Sequence, residues 1–215
     1  MKFYLISPPK KISTFNKDVF DKVTDLHPVK YFQFRPKFNS LKSREEFVKN
    51  FYDFIYEICS KKKIKIIIND DFEIAQKFIF DGIHLGQNDK SCSAAKKKFG
   101  KNYVVAISCS DSFKLYEKAY NQGADYVAFG PAFQTKNKRK KNINLSNFFK
   151  IKNKIEIPFL FIGGINHDNI KSLKKFGPNY IAIIDSLWNF SSGPIESAKK
   201  FREILNGEIE NENDC

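Results

Sequence analysis

Two aspartates, Asp70 and Asp89, are the residues from which chemistry in this sequence is most readily built. Two neighbouring carboxylates either share a proton or hold a cation between them. Arg35, Lys37 and Lys138 offer positive charge to the same set, and basic groups close by favour the cation. Mg²⁺ takes one or two protein carboxylates and fills its remaining positions with water and phosphate oxygens. Arg35 can grip a phosphate bidentately, Lys37 and Lys138 act as point charges, and Asn69 adds a neutral donor. Together these groups suit a diphosphate bound with Mg²⁺. A second anion position is offered by Gly163-Gly164, where exposed backbone N–H groups allow close approach of a phosphate.

For these residues to meet, the chain must bring distant segments to one rim. Short apolar runs recur at Phe3–Ser7, Val29–Arg35, Ile64–Ile68, Gly82–Leu85, Tyr103–Cys109, Tyr126–Gly130, Phe159–Gly163 and Tyr180–Ile184. Their near-continuous apolar character is that of parallel strands buried on both faces. Amphipathic segments alternate with them. One is Ser43–Ser60, with Phe47, Phe51, Phe54, Ile55 and Ile58 at helical spacing; another opens at Asp111-Ser112-Phe113 and ends at Gly123. Eight β-then-α units predict an α/β fold, a (β/α)₈ TIM barrel forming a single catalytic domain over residues 1–206. A doubly wound open sheet is the alternative, but no G-x-G-x-x-G follows the first strand.

In such a barrel the active site lies at the carboxyl ends of the strands. Those positions hold Gln33, Arg35 and Lys37; Asn69, Asp70 and Asp71; Gly86, Gln87, Asn88 and Asp89; and Ser108 and Ser110. Gly130-Pro131, Thr135, Asn137 and Lys138 follow, then Gly163-Gly164, then Asp185-Ser186. Phosphate sites recur after the seventh and eighth strands of this fold. The remaining special residues point elsewhere. His84 reads as a near-core strand histidine and Trp188 as packing. His27 and His167 fall near helix boundaries, and Cys109 lacks a partner base.

Composition bounds the rest. The 215 residues carry 37 basic and 24 acidic side chains, a net charge of +13. Only four of the 37 are Arg (35, 44, 139 and 202), and with 23 Phe the composition resembles A/T-rich coding. Most of the charge is therefore read as a lysine-decorated surface. A nucleic-acid partner would need a basic face interleaved with aromatics, which is missing, so small-molecule substrates are expected. The run Lys136–Lys141 is expected to be a basic loop able to close over an anionic substrate. The acidic segment 207–215 is expected to be disordered. Four scattered cysteines read as reduced thiols, no apolar run approaches the ~18 residues that span a bilayer, and the N-terminus is no secretion signal. A cytoplasmic protein is expected.

At these residues the chain resembles the thiamine-phosphate synthase family, also called thiamine-phosphate pyrophosphorylases. The resemblance rests on Gln33-Phe34-Arg35-Pro36-Lys37, Ile68-Asn69-Asp70-Asp71, residues 81–89, residues 123–138 and Ile162-Gly163-Gly164-Ile165. It implies a transferase that joins hydroxymethylpyrimidine diphosphate to a thiazole phosphate through a dissociative, carbocation-forming step. By position, Asp70 and Asp89 would hold Mg²⁺. Gln33, Arg35, Lys37, Asn69, Ser108 or Ser110, and Lys138 would bind the pyrimidine diphosphate, with Arg35, Lys37, Ser108 and Lys138 carrying the chemistry. Thr135, Asn137, Gly164, Ile184 and Asp185 would line the thiazole-phosphate site. Three positions depart from the family pattern. Pro36 stands for an acidic residue, Asn137 for a Thr, and Asp185 for a Ser beside the implied monophosphate, which a carboxylate repels. Either Asp185 points away, leaving its backbone N–H for the phosphate, or the thiazole substrate differs. A thiazole tautomerase on the same barrel is the neighbouring alternative. It needs an acid/base residue after the fifth strand, where this chain has Ser108-Cys109-Ser110. A basic nucleic-acid-binding protein, for which charge alone speaks, is the remaining one.

Overall fold

A computed structural model describes residues 1–135 and 141–207. Eight strands, β1 (Lys2–Ile6), β2 (Val29–Phe34), β3 (Lys65–Asn69), β4 (Gly82–Leu85), β5 (Val104–Ser110), β6 (Tyr126–Phe129), β7 (Phe159–Phe161) and β8 (Tyr180–Ile183), form a closed parallel barrel in chain order. The barrel closes where β1 pairs with β8, Leu5 opposite Ile183. The expected strands are all present. Gly130 and Gly163 drop out of theirs to become part of the rim; Gly163 has a φ of 97°, which ends the extended backbone.

Alternation along each strand builds two cores. On β1, Tyr4 and Ile6 point into the barrel while Phe3 and Leu5 pack under the helices. Inside, Tyr4, Tyr31, Tyr126 and Tyr180 fill the end of the barrel where the strands begin. Their ring centroids lie 4.9 Å (Tyr31–Tyr126), 5.2 Å (Tyr31–Tyr180) and 5.5 Å (Tyr4–Tyr31) apart, and Tyr4 and Tyr126 share a 2.9 Å hydroxyl contact. The barrel is thus a packed interior with an open mouth only at the carboxyl ends.

The helices are α1 (Lys17–Leu26), α2 (Leu41–Lys62), α3 (Cys92–Phe99), α4 (Phe113–Asn121), α5 (Leu145–Ile151), α6 (Asp185–Trp188) and α7 (Pro194–Asn206). Side-chain oxygens of Asn16, Ser40, Ser91, Ser112 and Asn144 cap the first five by accepting a first-turn N–H. α2 extends beyond the predicted Ser43–Ser60 at both ends; Phe47, Val48, Phe51, Ile55, Ile58 and Cys59 are its buried residues, while Phe54, expected on the same face, is only half-buried. Two units depart from α-helix. The third connection holds only the 3-10 turn Ile74–Gln76, started where Asp71 Oδ1 accepts the Ile74 N–H. The seventh is the 3-10 segment Ile170–Phe176, preceded by Asn166 and Asn169, whose side chains bind nearby backbone N–H groups in competition with a helical start.

Trp188 is buried and its Nε1 donates to the Ile6 carbonyl at 2.7 Å, a packing role. His27 and His167 anchor α7, with Nε2 atoms 2.8 Å from the Ala198 carbonyl and 3.1 Å from that of Ser197. Cys59, Cys92 and Cys109 are buried free thiols, and burial pushes Cys109 up to about 12, so none is a ready nucleophile. Among the described residues no helix is long and apolar enough to cross a membrane. Residues 136–140, most of the basic run, and the tail from 208 onward lie outside the described residues.

Candidate active site

The barrel mouth opens into a cavity of about 1030 Å³ whose floor includes Tyr4, Ile6, Leu160 and Ala182. Gln33, Arg35, Lys37, Asn69, Asp70, Asp89, Ser108, Ser110, Thr135, Gly164, Ile184 and Asp185 all line it. Every predicted site residue that is described therefore faces one space; Asn137 and Lys138 lie outside the described residues.

β2 delivers three of these groups. Gln33 is buried and its Nε2 donates to the Tyr4 hydroxyl at 2.9 Å. The Arg35 backbone N–H donates to Ser7 Oγ at 2.9 Å, which fixes the strand end. Burial pulls the Arg35 pKa below its ordinary value, while the charges of Asp70 and then Asp185 oppose that shift. Its guanidinium stays charged, within electrostatic reach of both carboxylates. Lys37 lies farther out, Nζ 3.4 Å from Asp70 Oδ2.

The next two strands carry the acids. Asp70 sits just past β3 with a φ of 63°, a conformation costly for a residue with a side chain. Its N–H donates to the His84 carbonyl at 2.8 Å, holding the turn on β4. Asp89 Oδ2 accepts the Gly86 N–H at 2.7 Å. Burial raises the Asp89 pKa, and the Asp70 carboxylate, within hydrogen-bonding reach, raises it further. Two interacting carboxylates beside half-buried Arg35 form an electrostatic arrangement that a divalent cation would balance. Among the described residues no group of three His, Cys, Asp or Glu is placed to bind a metal. Asp70 and Asp89 offer two hard oxygen ligands beside an open cavity, a pair whose chemistry would suit Mg²⁺ completed by water and phosphate.

β5 closes this side. The Ser108 hydroxyl lies 2.8 Å from His84 Nε2, and Gln87 Nε2 donates to the Ser108 carbonyl at 2.6 Å. His84 is buried and held neutral, its pKa pushed down to about 4 chiefly by desolvation and secondly by Arg35. Ser110 follows at a φ of 51°.

The far side of the mouth is built from backbone. Gly163 and Gly164 have φ values of 97° and 68°, and a Cβ on Gly164 would lie 2.5 Å from the Gln134 carbonyl oxygen. The loop after β6 therefore packs on Gly164 of the loop after β7 too closely to admit a side chain there. Ile184 and Asp185 lead into α6. The Asp185 carboxylate lines the cavity, accepts from Asn189 Nδ2 at 3.0 Å and acts on Arg35.

Sequence reasoning missed Tyr4, Ile6, Asn166 and Asn189, which also line the cavity. Tyr4 and Ile6 were recoverable in principle, because the parity of β1 sends both inward. Asn166 and Asn189 carry no signal before the loops are placed.

Residues 3–187 match the family model described as thiamine monophosphate synthase. The chain is 35% identical over 204 residues to the thiamine-phosphate synthase of Pelagibacter ubique, covering 94% of this chain and 96% of that one. It is 30% identical over 195 residues to the thiamine-phosphate synthase of Lactococcus lactis, covering 87% and 88%. Among solved structures it resembles a thiamine phosphate pyrophosphorylase from Pyrococcus furiosus with a TM-score of 0.79, 24% identity and 96% coverage of each chain, a likeness of fold.

Proposed function

The chain belongs to the thiamine monophosphate synthase family, and on that premise we propose that its cavity joins an aminopyrimidine diphosphate to a thiazole phosphate, giving thiamine phosphate and diphosphate. The observation that carries this reading is the abutment of Asp70 and Asp89 beside Arg35 and Lys37 at one side of the mouth. Mg²⁺ bound by Asp70 and Asp89 would neutralise charge building on the departing diphosphate.

The chain's own residues account for the rest. Arg35 and Lys37 grip the diphosphate, and Lys138 joins them by resemblance. Gln33 and Asn69 orient the pyrimidine portion. The C–O bond to diphosphate breaks with its electron pair leaving on oxygen. The thiazole nitrogen then supplies its lone pair to the methylene carbon, forming the C–N bond. The buried floor of Tyr4, Ile6 and Leu160 keeps water from capturing the cationic carbon first. Gly164, Thr135, Ile184 and the backbone at Asp185 hold the thiazole phosphate, so the two rings are placed in register.

The test is to mix the protein with pyrimidine diphosphate, thiazole phosphate and Mg²⁺ and measure thiamine phosphate. Product formation that requires Mg²⁺ supports the reading. Interconversion of thiazole isomers without product overturns it in favour of a tautomerase.

A further inference from the structure

His84 has no part in the steps above, yet it occupies the centre of the site. On β4 the outer positions Ile83 and Leu85 belong to the core under the helices, so His84 points into the barrel. Its Nε2 lies 2.8 Å from Ser108 Oγ on the neighbouring strand. Its Nδ1 is buried and has no hydrogen-bond partner.

That asymmetry decides where the proton sits. If Ser108 donated to Nε2, the ring proton would be on Nδ1, leaving a buried N–H without an acceptor. An imidazolium would leave the same orphan N–H and add a full charge. If Nε2–H donates to Ser108 instead, the orphan is a lone pair. Orphaned buried donors are rarer in folded proteins than under-used acceptors, in keeping with their cost. The proton therefore belongs on Nε2, and Ser108 is the acceptor in this pair.

A hydroxyl has one proton to give and two lone pairs to receive with. With one lone pair taken by His84, the Ser108 O–H is free to donate, and its open direction is the cavity that Ser108 lines. The Gln87 contact to the Ser108 carbonyl holds the backbone from which the hydroxyl projects.

We propose that His84 is a positioning residue, whose Nε2–H fixes the Ser108 hydroxyl as a dedicated donor to a phosphate oxygen of the leaving diphosphate. This rests on the function proposed above. Its effect is to make a neutral serine act with fixed polarity, aimed where negative charge develops.

The first test needs no turnover. Nitrogen-15 NMR of the wild-type protein at neutral pH should show His84 protonated at Nε2 and bare at Nδ1; a proton on Nδ1 overturns the proposal. The second uses two replacements that mimic different ring nitrogens. The His84→Gln amide reaches the Nε2 position and should keep kcat within about threefold, whereas His84→Asn reaches only the Nδ1 position and should lower kcat at least about tenfold, with little change in KM. Combining His84→Asn with Ser108→Ala should cost no more than Ser108→Ala alone, because both remove one donor. Multiplying losses, or an Asn variant as active as wild type, overturns the assignment. Wild-type protein that makes no thiamine phosphate defeats the proposed function instead, while the NMR result still decides the position of the proton.

Discussion

Arg44 Nε donates to Asp71 Oδ2 at 2.7 Å, and Nη1 of the same guanidinium donates to the carbonyls of Phe38 and Asn39 at 3.2 and 3.1 Å. One side chain on α2 thus ties the segment after β2, which carries Lys37, to the segment after β3, which carries Asp70. Arg44→Ala strands a carboxylate whose side chain is 9% exposed, at a cost of about 3 kcal/mol. Urea denaturation should register that loss, and the KM for pyrimidine diphosphate should rise. Arg44→Lys should not rescue either, because an ammonium lacks the planar fork that serves three acceptors.

Asp70→Ala and Asp89→Ala should each abolish Mg²⁺-dependent diphosphate release while circular dichroism stays native. Both side chains sit on the rim rather than in the core, so the fold does not need them. Undiminished turnover in either variant removes the metal assignment.

All three histidines have pKa values lowered by burial. A depressed folded value means that the unfolded chain takes up protons first as pH falls below about 6.5. The stability they contribute is complete above that pH and is lost as pH drops toward the folded values. For His84, lowered to about 4, the loss is about 3 kcal/mol. Urea unfolding free energies measured from pH 7 down to pH 4.5 should fall steadily.

Gly164→Ala should raise the KM for thiazole phosphate at least about tenfold. The new Cβ would meet the Gln134 carbonyl at 2.5 Å and require a left-handed backbone from alanine. Relief of that clash moves the strand of chain that leads to Thr135.

Asp185→Asn should lower the KM for thiazole phosphate about fivefold, the effect of removing about 1 kcal/mol of like-charge repulsion at an exposed position. Steady-state kinetics at low ionic strength checks this, and an unchanged KM would place the phosphate away from Asp185.

The barrel was legible because its strands are apolar on both faces, a pattern that only a covered parallel sheet requires. Most of the described rim residues were legible because they stand at or just past strand ends, whereas Thr135 and Asp89 lie out in loops and Ile184 was named only through the resemblance. Asp185 shows the limit: its residue type announced a conflict with a phosphate, but only packing revealed that Asn189 donates to its carboxylate and that its charge reaches Arg35. The 3-10 segments at 74–76 and 170–176 were illegible for a related reason. Side chains such as Asp71, Asn166 and Asn169 bind backbone N–H groups locally and override the helical spacing of the apolar residues. His84 was read correctly as buried, yet the orphaned nitrogen that gives it a role exists only in three dimensions.

The tyrosine-filled end of the barrel has a consequence for traffic. With Tyr4 and Tyr126 sealing the interior, everything enters and leaves through one mouth. Whichever substrate reaches deeper must arrive first and its counterpart must dock over it, so binding follows a queue. The same geometry makes a lingering product an obstruction, and clearing the mouth becomes a candidate for the slow step of the cycle.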